Sequence, residues 1–281
     1  MVFRALVAAT ILTIPALIHA GSPTDSSSNS CGLALVLSGG GARGLAQIGV
    51  LRAFEEAGIQ PDLVVGTSMG AVIGALYAAG YASEQIERLA RRVSWQELFA
   101  NTAERNALLV SQKDEPVDYL VELRFDEDLS PLLPSSISHG QQVYNLMVET
   151  LSAAQFHCGH NYDSLAIPLR IVATDILTGN CIVLAKGNLA RAVRASSGVP
   201  LAFSPVAYDS LLLMDGGLTA NIPVAPAQQQ GCRSVVAVDV TSPLWNADQL
   251  DNPVRLMDQV VAIGIKARKE QQDSAADIII R

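Results

Sequence analysis

Leu63-Val64-Val65-Gly66-Thr67-Ser68-Met69-Gly70-Ala71-Val72-Ile73-Gly74-Ala75-Leu76 is the stretch that decides the fold. An apolar run enters a Gly-x-Ser-x-Gly turn, and a run of small and apolar residues leaves it. That pattern reads as strand, sharp turn, helix, with Ser68 at the apex. The glycines flanking the serine are expected to meet the crowding of such a turn and any positive φ it demands. A serine held there exposes its hydroxyl above a helix N-terminus, where the helix dipole favours developing negative charge.

Working outward, Leu33 to Leu37 is a second apolar run, and it enters the cluster Ser38-Gly39-Gly40-Gly41-Ala42-Arg43-Gly44. Helical spacing follows from Leu45 to Ala57, closed by Gly58 as a glycine just past a helix end should. Strand, helix and strand within about 35 residues form a right-handed βαβ unit and therefore a parallel pair. Further strands are expected at Leu169–Asp175, Cys181–Ala185, Leu211–Met214, Ser234–Val240 and from Asp277. Helices are expected at Leu189–Ala195 and Val254–Gln272. The β-branched run at Ser234–Val240 suits a strand buried on both faces.

Residues 83–160 differ in character. Amphipathic helices at Glu84–Arg92 and Gln141–Ala154 bracket Pro116, Pro131, Pro134 and apolar clusters at Leu108-Leu109-Val110 and Leu129 to Leu133. This segment reads as a helical insert, serving as a layer on the sheet, as a lid or lipid-facing wall, or as both.

The 281-residue chain is 49% hydrophobic and only 5% aromatic, which favours packed α/β layers over an all-β sandwich. Its net charge of −8, with no basic stripe interleaved with aromatics, argues against a nucleic-acid partner. Arg4, the apolar run Ala5 to Leu17 and Ile18-His19-Ala20 resemble a signal peptide spanning residues 1–20. The run is about 13 residues, short of the ~20 that span a bilayer. Residues 21–30 are Ser-rich and read as a linker, leaving 31–281 as the folded domain. Export to the periplasm, the outer-membrane surface or the medium permits disulfides among the four cysteines; Cys158 and Cys181 flank one short segment and could pair, with buried free thiols as the alternative. A metal site from His157, Cys158 and His160 matches no zinc spacing.

A nucleophilic serine needs a base and oxyanion donors. The chain has four histidines, His19, His139, His157 and His160, none of which follows a sheet strand, and no histidine comes after His160. An ordinary Ser-His-Asp triad on an α/β-hydrolase sheet, with its histidine late in the chain, is therefore disfavoured. Asp215, ending an apolar strand and followed by Gly216-Gly217, is the candidate base. In a parallel sheet the strand C-termini gather at the edge that also holds Ser68. A poorly solvated Asp there would have a raised pKa and accept the serine proton. The bland reading is an Asp-Gly turn cap.

The Gly39–Gly44 cluster also fits G-x-G-x-x-G. A dinucleotide site, however, wants an acidic residue ending the second strand, where this chain has Gly66-Thr67-Ser68. The better reading is an oxyanion hole built from the amides of Gly39, Gly40 and Gly41, with that of Met69. Arg43 either orients this loop, neutralises a substrate phosphate, or forms a structural salt bridge.

Five segments in order carry a resemblance: Gly39-Gly40-Gly41-Ala42-Arg43-Gly44; Gly66-Thr67-Ser68-Met69-Gly70; Ala173-Thr174-Asp175; Arg194-Ala195-Ser196-Ser197-Gly198-Val199-Pro200; and Asp215-Gly216-Gly217 with Asn221-Ile222-Pro223. Together they resemble the patatin-like phospholipase family, with Gly198 standing where that family commonly has a longer residue. The resemblance implies a three-layer α/β/α sandwich and hydrolysis of lipid acyl esters without metal or cofactor. It implies Ser68 as nucleophile, Asp215 as base and the Gly39–Gly41 amides as oxyanion hole. Phospholipid or another lipid ester on a membrane surface would be the substrate. A lipid-binding module without turnover is the second reading. The signal-like N-terminus is similar to that of exported bacterial members, in which a β-barrel follows the catalytic domain. A chain stopping within a strand suits that organisation.

Overall fold

The computed structural model describes residues 31–95, 97–99, 124–125, 131–132, 136, 138–251, 253–273 and 275–281. The expected signal peptide, the linker and the proline-rich middle of the insert lie outside the described residues, apart from the short pieces at 124–125 and 131–132.

Strand β1 (Leu33–Leu37) runs through a 3₁₀ turn (Gly41–Ala46) into helix α1 (Gln47–Glu56). Strand β2 (Leu63–Thr67) follows, then α2 (Met69–Ala78) and α3 (Ser83–Arg92). In the insert, β3 (Arg124–Phe125) and β4 (Pro131–Leu132) form a separate two-stranded ribbon, and α4 (Gln141–Cys158) leads back to the sheet. Next come β5 (Leu169–Asp175), β6 (Asn180–Leu184), α5 (Leu189–Ser196), β7 (Val206–Tyr208), β8 (Leu211–Asp215), α6 (Gly217–Ala220), α7 (Val224–Gln228) and β9 (Ser234–Val238). The described chain ends with α8 (Pro253–Asp273) and β10 (Ile278–Ile280).

The main sheet has eight strands in the order β10-β9-β1-β2-β5-β8-β7, with β6 also paired to β5. Strands β10, β9, β1, β2 and β5 are parallel, while β6, β7 and β8 pair antiparallel. Successive side chains of a strand alternate between faces, so each central strand feeds two cores. Leu35, Leu37, Val64, Leu169 and Ile171 pack with α1, α2, α4 and α5. Ala34, Val36, Leu63, Val65 and Val172 pack with Ile222, Val224 and Ala227 around α6 and α7. This is the three-layer α/β/α sandwich. The described part of the insert is a helical layer, because α4 buries Val143, Met147 and Leu151 in the first core. No described helix is long and apolar enough to cross a membrane.

Two expectations are corrected. The strand ending at Asp215 is antiparallel to β5, not parallel. Strand β6 covers Ile171–Asp175 from one side, so β2 and β8 must share the opposite edge of β5. On that edge Thr67 pairs with Val172 and Asp215 with Ala173. The two strands therefore run toward each other and meet tip to tip.

The second concerns the cysteines, where the possible Cys158–Cys181 pair does not form. The bridge joins Cys31 to Cys232, while Cys158 is buried and free and Cys181 is exposed and free. The register explains this. Leu33 pairs with Ser234 in the parallel β1–β9 ladder, so the residues two positions earlier, Cys31 and Cys232, stand side by side. Cys181 sits in β6, whereas Cys158 ends α4 within the first core, so proximity in sequence did not bring them together.

Candidate active site

Ser68 sits between β2 and α2 with φ 55° and ψ −122°. The positive φ falls on the serine itself and not on the flanking glycines. Those glycines are required for close approach: a Cβ at Gly70 would lie 2.2 Å from the Leu37 carbonyl oxygen. Strain of this kind costs about 1–3 kcal/mol and persists only where surrounding bonds hold it.

Several bonds do so. The Ser68 N–H donates to Ser196 Oγ at 3.0 Å, and the Ser196 hydroxyl donates to the Val172 carbonyl at 2.5 Å. Thr67 Oγ1 donates to the Ala220 carbonyl at 2.8 Å. The Ser68 carbonyl receives the N–H groups of Ala71 and Val72, the first bonds of α2.

Asp215 closes the pair. Ser68 Oγ donates to Asp215 Oδ2 at 2.6 Å, and the Gly217 N–H donates to Oδ1 at 2.7 Å. Both residues are buried. Loss of solvent pushes the Asp215 carboxyl up to about 6, against the opposing effects of the Ser68 and Gly217 hydrogen bonds. The Asp215 backbone is fixed on both sides. Its carbonyl accepts from Thr174 Oγ1 at 2.9 Å, and its N–H donates to the Gly198 carbonyl at 3.1 Å.

The glycine loop lies against the serine. A Cβ at Gly39 would stand 3.2 Å from Ser68 Cβ and 2.5 Å from Asn221 Oδ1, so no side chain fits there. The Gly39 N–H donates to the Asn221 carbonyl at 3.0 Å, which withdraws it from the expected oxyanion donors. No acceptor among the described residues takes the N–H of Gly40, Gly41 or Met69. Met69 opens the ten-residue helix α2, whose dipole adds positive potential there. Gln47 Nε2 donates to the Ser38 carbonyl at 2.7 Å and anchors the loop from below. The Arg43 side chain is exposed at the loop's outer turn and forms no ion pair among the described residues.

Asp175, within a segment that carried the resemblance, is a turn residue. It accepts from Thr178 Oγ1 at 2.6 Å and from the Leu177 and Leu212 N–H groups, and these bonds hold its carboxyl below the usual range. His157, Cys158 and His160 do not converge: among the described residues, no three His, Cys, Asp or Glu side chains are grouped to hold a metal. Sequence reasoning gave no individual role to Ser196, Thr174 or Asn221. The segments containing them were noted, but nothing in a serine, threonine or asparagine says which backbone group it will meet.

A hydroxyl directed at a buried, partly neutral carboxyl beside free amides at a helix N-terminus is equipped to attack a carbonyl carbon. Comparison with known proteins identifies the family. Residues 35–227 match the model of the patatin-like phospholipase family. The chain is 34% identical over 212 residues to patatin-like phospholipase domain-containing protein 6 of Mus musculus, covering 75% of this chain and 14% of that protein. It is 33% identical over 229 residues to lysophospholipase NTE1 of Mycosarcoma maydis, covering 80% of this chain and 10% of that one. It thus spans a small part of the length of these relatives. Among solved structures it is similar to VipD of Legionella pneumophila, with a TM-score of 0.45 and 16% identity over 87% of this chain and 55% of VipD. The family match runs from within β1 into α7, and with it covers the glycine loop, Ser68 and Asp215; this chain belongs to the patatin-like phospholipase family.

Proposed function

We propose that this protein is a lipid acyl hydrolase, of phospholipase A or lysophospholipase type, acting through a Ser68–Asp215 dyad. The observation that carries the reading is the 2.6 Å bond from Ser68 Oγ to a buried Asp215 whose carboxyl titrates at about 6. Family membership supports a lipid ester as substrate.

Ser68 Oγ attacks the acyl carbonyl as its proton passes to Asp215 Oδ2. The carbonyl oxygen becomes an oxyanion that the N–H groups of Gly40, Gly41 and Met69 receive. The intermediate collapses, the bond to the alcohol or lysolipid breaks, and Asp215 returns its proton to the departing oxygen. Water then gives a proton to Asp215 and attacks the acyl-enzyme; the second intermediate releases fatty acid as Ser68 Oγ recovers the proton. No step calls on a metal or cofactor. Arg43, exposed at the loop's outer turn, is the residue we assign to a substrate phosphate.

Export is part of the proposal. The signal-like residues 1–20 and the Cys31–Cys232 bridge both suit an oxidising compartment.

Fatty acid release from phospholipid vesicles, together with labelling by a fluorophosphonate, tests the reading. Wild-type protein is expected to do both, and Ser68→Ala to do neither while keeping its circular dichroism spectrum. Vesicle binding without turnover or labelling in the wild type would instead identify a lipid-binding module.

A further inference from the structure

The dyad lies at the sheet edge where β1, β2, β5 and β9 end, and the segments leaving that edge carry uncovered apolar side chains. The β5–β6 turn, five residues beyond the Thr67–Val172 pair, presents Leu177 at 69% exposure. The loop after α5, whose Gly198 carbonyl holds Asp215, presents Leu201. The chain leaving β9 presents Trp245, whose Nε1 donates to Asp258 Oδ2 at 2.6 Å and whose ring lies under the Arg255 guanidinium.

Helix α8 continues this rim. Strands β9 and β10 are parallel, so α8 must run from the dyad's edge back to the opposite one. Leu256, Val260 and Ile263, each more than half exposed, all lie in its first half. At ~100° per residue they fall within about 60° of one another, and Ile265 falls on the opposite side. That opposite side is the packed one: Ile265 faces Gly217, and Arg268 donates to the Leu218 carbonyl at 2.8 Å. Among the described residues, the exposed apolar side chains at the other sheet edge, such as Ile59 and Ile278, lie on separate segments.

We propose that this rim, formed by Leu177, Leu201, Trp245 and the Leu256–Val260–Ile263 stripe, is the face that docks on a zwitterionic phospholipid surface. The inference rests on the proposed lipid acyl hydrolysis and identifies the partner surface of that site. Apolar side chains along the edge that holds a site for bilayer-borne esters let substrate reach Ser68 without crossing water. A tryptophan at the margin suits the headgroup layer. The charges select a neutral surface. Arg255 pairs with Asp251 at 3.0 Å, and the same segment carries Asp248 and Asp258, so even with the exposed Arg43 the rim offers no basic excess to draw anionic lipid. Docking is therefore apolar and insensitive to salt.

The test uses the full chain carrying Ser68→Ala, so that binding is read without turnover. Sedimentation with phosphatidylcholine vesicles is expected to retain this protein equally at low and high salt. Adding Val260→Glu and Ile263→Glu should weaken retention by at least about tenfold. In otherwise wild-type protein the same pair should lower hydrolysis of vesicle lipid while sparing a water-soluble short-chain ester. Unchanged retention by the charged variant would overturn the proposal. So would retention that requires anionic lipid, or a stripe buried in a dimer by analytical ultracentrifugation with vesicle binding intact after the dimer is broken. Loss of ester hydrolysis in the parent protein, with vesicle retention intact and sensitive to the glutamates, would sink the hydrolase reading and leave the docking face standing.

Discussion

The amide of Ser68 donates to the hydroxyl of Ser196 at 3.0 Å, and the carbonyl of Ser196 accepts from the amide of Gly216 at 3.3 Å. One fully buried residue at the end of α5 thus ties together the turn that holds Ser68 and the residue that follows Asp215. Its hydroxyl is the partner that keeps Ser68 at a positive φ, and its chain position sets the spacing of the two strand tips.

Removing that hydroxyl should cost both stability and rate. Ser196→Ala leaves the Ser68 N–H and the Val172 carbonyl buried and unpaired, at about 1–3 kcal/mol each. Relaxation of Ser68 by about 1 Å is expected to slow acylation by about 10²-fold. The measurement is the fluorophosphonate labelling rate alongside KM for a soluble ester. A slower labelling rate with unchanged KM supports a positioning role for Ser196, and an unaltered labelling rate argues against it.

Hydrolysis should follow the protonation of Asp215. The carboxylate accepts the serine proton, so kcat/KM is expected to rise tenfold per pH unit below about 6 and to level above it. A pH profile whose acid limb lies near 4 would rule out the buried carboxyl as base.

Stability carries the same signature with the opposite sign. The unfolded chain releases this proton near 3.8 and the native state near 6, so the native state binds more protons between these values. The fold therefore loses stability as pH rises through that window, by on the order of 3 kcal/mol, and carries the cost above it. Asp215→Asn removes the buried charge. Its melting temperature should gain on wild type between pH 4 and pH 7, and a constant gap across that range would contradict the assignment.

The glycine loop separates a steric requirement from a conformational one. Gly39→Ala places a Cβ against Asn221 Oδ1 and Ser68 Cβ and should lower activity by about 10²-fold. Gly41→Ala meets open space at φ +52° and should cost about 1 kcal/mol of stability while keeping most activity, because the backbone N–H remains. Steady-state kinetics of the pair, beside their melting curves, checks the contrast.

The Cys31–Cys232 bridge closes 201 residues and should contribute about 2–5 kcal/mol. Reduction, or Cys31→Ala, is expected to lower the denaturant midpoint, whereas Cys181→Ser should leave the effect of reductant unchanged. A midpoint insensitive to reduction in the wild type would refute the bridge.

The sequence by itself determined the parts whose signal is local. The apolar run before Gly66-Thr67-Ser68-Met69-Gly70 and the small residues after it specify strand, turn and helix. The shortage of histidines removed the usual base, and Asp215-Gly216-Gly217 stood at the end of an apolar run. What only the tertiary structure decided are pairings between distant segments. The reversal of β8 brings Asp215 to Ser68 tip to tip, because both strands lie along one edge of β5. The β1–β9 register pairs Cys31 with Cys232, which sequence spacing gave no reason to choose over a Cys158–Cys181 pair or free thiols. The Asn221 carbonyl takes the Gly39 amide, while those of Gly40, Gly41 and Met69 have no acceptor among the described residues. Each of these depends on which backbone groups meet across more than a hundred residues, and that is a property of strand order and register, not of local composition.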